Sequence, residues 1–119
     1  MSKEDIQSRP GRKPRTAKPT SISVVTPCYN EELVVHELHR RLTSVLEKVG
    51  LPYEIILVDD GSKDNTWPLL TELREKDRHL KIVRLARNFG HQLALTCGLD
   101  QAHGEVILIM DADLQDPPE

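Results

Sequence analysis

Four short runs of apolar residues constrain this chain more than any other feature: 22–25, 55–58, 82–85 and 106–110. Runs 55–58 and 106–110 are unbroken, and 22–25 and 82–85 carry one polar residue each, Ser23 and Arg84; none alternates, which is the pattern of strands buried on both faces. Between successive runs lie segments with helical spacing. In 32–49, Val34, Leu38, Leu42, Val45 and Val49 form one stripe, and Gly50 and Pro52 stop it. Asn65 or Thr66 can cap a second helix, Pro68 suits its first turn, and Leu69, Leu70 and Leu73 give it a buried side. Asn88-Phe89-Gly90 reads as a turn, 91–102 as a third helix, and Gly104 as its end. Apolar strands joined by helices imply a parallel sheet covered on both faces. Right-handed crossovers then give an α/β, Rossmann-like doubly wound unit, expected in strand order 3-2-1-4.

At 119 residues this is one domain at most. Residues 1–20 differ from the rest, with six Lys/Arg, two acids, three prolines and almost nothing large and apolar. Such a segment buries too little surface to offset its ordering entropy, so a disordered basic tail is expected. It could touch anionic lipid, although a solvated tail is the simpler reading. Residues 21–119 carry ten Lys/Arg against seventeen Asp/Glu, a net charge of −7. That balance, with only four aromatics in the chain, argues against nucleic-acid binding. No run approaches the roughly 20 apolar residues of a membrane span. Cys28 and Cys97, far apart and outside any C-x-x-C, read as free thiols of a reducing, cytoplasmic compartment.

In a sheet of this kind, ligands bind outside the carboxyl ends of the strands. Every unusual polar cluster falls there: Pro27, Tyr29, Asn30, Glu31 and Glu32; then Asp59 and Asp60; then Asp111, Asp113 and Gln115. Two carboxylates at i and i+2 beyond a strand point to one side and repel unless a cation or donors offset them. A hard divalent cation carrying a diphosphate meets that need. With strands two apart separated by about 10 Å, a nucleoside diphosphate could reach from Asp60 to Asp113. Neither G-x-G-x-x-G nor G-x-x-x-x-G-K-[ST] occurs, which disfavours nicotinamide cofactors and P-loop nucleotides. Most of these residues also have plain structural uses. Asp59-Asp60-Gly61-Ser62 forms turns readily, Glu31 and Glu32 suit a helix start, and Tyr29 could simply pack. Arg87 and Asn88 could only pair and cap, and His36 and His39 suit a surface pair better than a metal site. Asp111 and Asp113 have the fewest structural uses.

The chain resembles the family 2 glycosyltransferases, and within them the polyisoprenyl-phosphate type. The resemblance runs from Ile22 to Glu119. Its carriers are Val25-Thr26-Pro27-Cys28-Tyr29-Asn30-Glu31-Glu32, Glu54-Ile55-Ile56-Leu57-Val58-Asp59-Asp60-Gly61-Ser62, Arg87-Asn88-Phe89-Gly90 and the segment from Asp111 on. It implies a glycosyltransferase A-type nucleotide-binding half in 21–119. Pro27, Tyr29 and Glu31 would line the base and ribose pocket, Val58 and Asp60 would complete the base contact, and Asp111 and Ala112 would lie along ribose and diphosphate. Asp113, on which catalysis would rest, would hold Mg2+ or Mn2+ together with Gln115. The implied reaction is inverting transfer of a sugar from a UDP- or GDP-linked donor to a polyisoprenyl phosphate. The family continues well past this motif, adding sheet strands, basic groups and membrane-associated or membrane-spanning helices. The chain is therefore expected to be a truncated donor half, inactive alone, and at the cytoplasmic face of a membrane when full length. The alternatives are a non-catalytic nucleotide-binding fragment, a family member with a different acceptor, and a magnesium-dependent phosphotransferase.

Overall fold

The computed structural model describes residues 20–112. Most of the basic tail, and Asp113 and Gln115, lie outside the described residues. The elements are β1 (Ile22–Cys28), α1 (Val35–Val49), β2 (Tyr53–Asp59), α2 (Thr66–Lys76), β3 (Leu80–Arg84), α3 (His91–Asp100) and β4 (Val106–Ile109). The four strands form one parallel sheet in the order β3-β2-β1-β4. This is the expected Rossmann-like doubly wound arrangement. Successive side chains leave opposite faces of a strand. Val24, Ile55 and Leu57 accordingly join Val35, Leu38, Leu42, Leu46, Leu70 and Leu73 of α1 and α2 in one buried cluster. Val25, Ile56 and Val58 join Ala94 and Ala102, on and just after α3, in the other. A Cβ on Gly98 would lie 2.5 Å from Val25 Cγ1, so the missing side chain lets α3 close on the sheet.

Four elements depart in detail from the expected reading. Residues 32–34 precede α1 as loop and turn, and the N–H groups of Val34 and Val35 both donate to the Glu31 carbonyl, at 2.9 and 3.1 Å. The buried stripe of α1 is Val35, Leu38, Leu42 and Leu46; Val45 is 60% and Val49 50% exposed. Two valines out of phase with the sheet had suggested the wrong rotation of the helix. At α2, neither candidate cap provides a side-chain cap: Asp64 Oδ1 accepts from the Thr66 N–H at 2.9 Å and hydroxyl at 2.6 Å. β3 begins two residues earlier than its apolar run, and α3 ends two residues sooner than expected.

Pro27 sits inside β1, a central strand, without breaking it. The Val25 carbonyl faces β4, accepting from the Met110 N–H, while the Cys28 carbonyl faces β2, accepting from the Asp60 N–H. By that alternation the missing N–H of Pro27 faces β4, beyond the last paired residue Ile109. No ladder bond is lost there. At the opposite edge of the sheet, Glu54 accepts from the Ser23 hydroxyl at 2.5 Å and the His103 N–H at 2.6 Å, and pairs with Lys81 at 2.7 Å. This clasp ties the strand beginnings together, so the polar groups at the strand ends are left to shape a cleft.

Candidate functional site

The ends of β1 and β2 are held by their loops. Asn30 takes the left-handed conformation at φ 53°, which its short amide side chain tolerates. Its N–H donates to Ser62 Oγ at 2.8 Å, and its Oδ1 accepts the Lys63 N–H at 2.9 Å. The Glu31 N–H donates to Thr66 Oγ1 at 2.8 Å, and Glu32 Oε1 accepts the Asn65 N–H at 2.8 Å. Polar residues that looked available for ligand therefore join two loops. The sequence signal for this was the local pairing of Asn, Ser, Asp and Thr in two turns, but nothing in the sequence registered one turn against the other.

Two hollows open at this edge. The smaller, about 370 Å³, is lined by Pro27, Cys28, Tyr29, Glu31, Asp60, Asn88, Gly90 and His91. The larger, about 610 Å³, is lined by Tyr29, Gly61, Ser62, Lys63, Arg84, Leu85, Ala86, Arg87 and Asn88. Tyr29 and Asn88 border both, and Tyr29 is 39% exposed at the seam. The charges divide with the hollows. Glu31 and Asp60 line the smaller, whereas Lys63, Arg84 and Arg87 line the larger with no acid among them. The Arg84 guanidinium lies 5.2 Å from the Trp67 ring centre and that of Arg87 4.2 Å from Phe89. Among the described residues, none of these three cations is in a salt bridge. Burial first, then the Glu31 and Asp59 carboxylates, push the Cys28 thiol well above its usual range, so it stays protonated and unreactive.

Of the residues expected in the site, Pro27, Tyr29, Glu31 and Asp60 come together around the smaller hollow. Val58 does not reach it: the whole residue is buried in the cluster under α3, and it lines neither hollow. Asp111 is exposed just beyond β4, at the same edge as Asp60, while Ala112 is buried in the cluster formed with α1 and α2. No group of three His, Cys, Asp or Glu among the described residues is placed to hold a metal. Of the acids in that segment, Asp111 alone is described, and it supplies one hard oxygen donor group of the kind such a cation takes. His39 does not stand in a surface pair with His36: its Nε2 lies 2.7 Å from Asp77 Oδ2. Sequence reasoning missed Lys63, Arg84 and His91 as lining residues, because nothing local distinguishes them from solvated charges.

A parallel 3-2-1-4 sheet with its cleft at the strand ends is a doubly wound nucleotide-binding architecture, and it agrees with the expected glycosyltransferase A-type half. Residues 23–119 match the description "Glycosyl transferase family 2", and the chain belongs to that family. It is 50% identical over 97 residues to the uncharacterized glycosyltransferase YkcC of Bacillus subtilis, covering 82% of this chain and 30% of that protein. It is 47% identical over 100 residues to the undecaprenyl-phosphate 4-deoxy-4-formamido-L-arabinose transferase of Pectobacterium atrosepticum, covering 83% and 31%. The structure resembles that of S. aureus TarS in complex with UDP, with a TM-score of 0.64, 34% identity and coverage of 78% and 27%. It also resembles the mannosyltransferase PcManGT of Pyrobaculum calidifontis in complex with GDP-Man and Mn2+, with a TM-score of 0.67, 30% identity and coverage of 82% and 28%. The chain thus spans under a third of the length of these relatives. Family membership replaces the phosphotransferase reading.

Proposed function

We propose that this chain supplies the donor-binding part of an enzyme that transfers a sugar, with inversion, from a UDP- or GDP-linked donor to a polyisoprenyl phosphate. The observation that carries this is the seam at Tyr29, where an acidic and a basic hollow meet at the strand ends. The names of the relatives supply the rest: one acts on an undecaprenyl phosphate, and the similar structures hold UDP or GDP-Man.

In this reading Pro27, Tyr29 and Glu31 hold base and ribose, and Asp60 completes the base contact; the buried Val58 shapes the strand end beneath them. Asp111 and Ala112 border ribose and diphosphate. Asp113 and Gln115 would hold Mg2+ or Mn2+, which would supply Lewis-acid neutralisation of the diphosphate charge. A lipid phosphate oxygen attacks the anomeric carbon as the bond to the diphosphate oxygen breaks on the opposite face. That oxygen is already a competent nucleophile, so no side chain need act as general base. Membrane-surface association and a cytoplasmic site belong to the same proposal for the longer protein. Among the described residues no helix is long and apolar enough to cross a membrane.

The test is UDP and GDP binding to the 119-residue chain, followed by the fluorescence of Trp67, its single tryptophan. Binding should be stronger in Mg2+ or Mn2+ than in chelator, and equal binding in both would count against the acidic segment as a metal site. Sugar transfer to a polyisoprenyl phosphate should be absent from this chain and present in a version of the relatives' length. Binding without transfer in that longer version would favour a non-catalytic nucleotide module.

A further inference from the structure

The donor reading uses the smaller hollow and the ground toward Asp111, and it leaves the larger hollow without a role. Three cations meet at that hollow with no acid in its lining: Lys63 from the turn after β2, Arg84 from the end of β3 and Arg87 from the segment before α3. Residues 21–119 carry ten Lys/Arg against seventeen Asp/Glu, so this gathering runs against the charge of its surroundings. Where cations share a surface with acids, as Arg40 and Arg41 do with Glu37 or Lys81 with Glu54, they pair. Around this hollow no salt bridge forms among the described residues. Like charges around one space repel unless an opposite charge offsets them.

Two of the three cations are held in place. The Arg84 guanidinium lies over the Trp67 ring and that of Arg87 over Phe89. A guanidinium stacked on a ring keeps its in-plane N–H groups for an acceptor and has less freedom to lose on binding. Ser62 adds a hydroxyl to the lining; its Oγ accepts the Asn30 N–H at 2.8 Å, which leaves its own proton for another partner. Flat N–H forks, an ammonium and a hydroxyl are groups that recognise phosphate oxygens.

In the donor reading the diphosphate lies at Asp111, so it is not this anion. Strand register sets Arg84 beside Asp59, and Asp59 beside Cys28. β4 lies on the other side of β1, and Asp111 follows it. Arg84 and Asp111 are thus at opposite edges of the sheet, three strand spacings or about 14 Å apart. A diphosphate is far shorter than that span, and Tyr29 forms the wall between the two hollows.

We propose that the larger hollow is a second anion site, which takes a phosphate group other than the donor's, either a free phosphate or the headgroup of an anionic lipid. Lys63, Arg84 and Arg87 neutralise it, and Ser62 donates to it. The site needs no divalent cation, because the side chains supply the positive charge. It is tested without any nucleotide, so its failure and that of the donor reading are distinct.

The experiment titrates the 15N-labelled 119-residue chain with pyrophosphate in chelator, at an ionic strength held constant with chloride. Chelator keeps a divalent cation from bridging the probe to the acidic segment. The Lys63 and Arg87 amide signals and the Trp67 indole signal should shift and saturate, while those of 106–111 hold. Lys63→Gln, Arg84→Gln and Arg87→Gln should each weaken pyrophosphate about three- to ten-fold, the effect of one charge-assisted contact at an open site. Lys48→Gln, in the last turn of α1, removes the same charge elsewhere and should change the affinity by less than about two-fold. Should Arg84→Gln or Arg87→Gln unfold the chain by losing its ring contact, Lys63→Gln, outside both ring contacts, decides.

A second arm separates the sources of the phosphate. Phosphatidylcholine vesicles with and without phosphatidylglycerol are sedimented with the chain, with a variant carrying all three substitutions, and with a control variant carrying Lys48→Gln, Arg74→Gln and Lys76→Gln. The basic tail is common to all three proteins, so a difference between the variants belongs to the hollow. Binding to phosphatidylglycerol vesicles at least about ten-fold weaker in the first variant than in the control assigns a lipid headgroup. Equal vesicle binding with pyrophosphate binding lost assigns a free phosphate, and loss of both assigns the phosphate group itself, whatever carries it. The proposal is overturned if neither pyrophosphate nor the vesicles distinguish the first variant from the control, or if pyrophosphate moves the signals of 106–111 in place of those of Lys63 and Arg87.

Discussion

At the residue scale, Tyr29 and Gly61 are the most sharply constrained positions of the cleft. Tyr29 stands half-open between the two hollows, a placement that would let its ring stack on a base in the proposed reading. Tyr29→Ala should weaken nucleoside binding by about 1–3 kcal/mol with or without metal. Asp113→Asn should instead remove the metal-dependent part, at least about ten-fold in Mg2+ and little in chelator. Calorimetric titration of both variants in the two buffers separates these roles. Gly61 combines a left-handed backbone with a van der Waals conflict against Arg87 for any side chain. Gly61→Ala should lower stability by roughly 1–3 kcal/mol in urea unfolding, and should weaken nucleotide binding as the Arg87 segment moves.

At the scale of elements, one carboxylate joins α1 to the connection between α2 and β3. Asp77 Oδ2 lies 2.7 Å from His39 Nε2, and Oδ1 takes the His79 N–H at 2.9 Å and approaches His79 Nδ1 at 3.0 Å. Tyr53 stacks on the His79 ring at 4.2 Å. Burial opposes the Asp77 charge, but the His39 bond, the His79 N–H and the His79 ring together hold its pKa below the usual carboxylate value. A depressed folded pKa gives stability that is present above the unfolded value, about 3.9, and lost as pH falls through the folded one. Stability of the chain should therefore decline in this acid range. Asp77→Asn should cost about 1–3 kcal/mol at neutral pH and flatten that decline. Urea unfolding of both proteins from pH 7 to pH 3 gives the comparison, and parallel pH curves would remove Asp77 as the cause.

At the scale of the molecule, β4 is the outer strand of the described sheet, beside β1. Leu108, Ile109 and Met110 are 44%, 53% and 42% exposed. An apolar edge with open backbone groups invites pairing with another chain. The 119-residue chain should therefore associate as its concentration rises, and Ile109→Lys should suppress this without loss of helical signal. Light scattering across a concentration series reads the outcome, and equal scattering from both proteins would point to another surface.

The fold was legible because its signals are local. Apolar runs, helical stripes and the stops at Gly50 and Gly104 decide which segments are strands and helices, and short crossovers leave few ways to order them. The strand ends as the candidate site were legible for the same reason, since polar residues such as Tyr29, Asp60 and Asp111 follow the buried strands there. Helix rotation was not: Val45 and Val35 are equally apolar, and only the position of the sheet leaves one in water and buries the other. Nor was the division of labour among the acids. By itself the sequence determined that carboxylates gather at one edge. Only the tertiary structure decided that Asp60 spends its oxygens on Asn88, Phe89 and Gly90, and that Asp77 is shared by His39 and His79. Those partners lie about thirty or more residues away for Asp60 and His39, and a hydrogen bond depends on ångström-scale registry that no local pattern encodes.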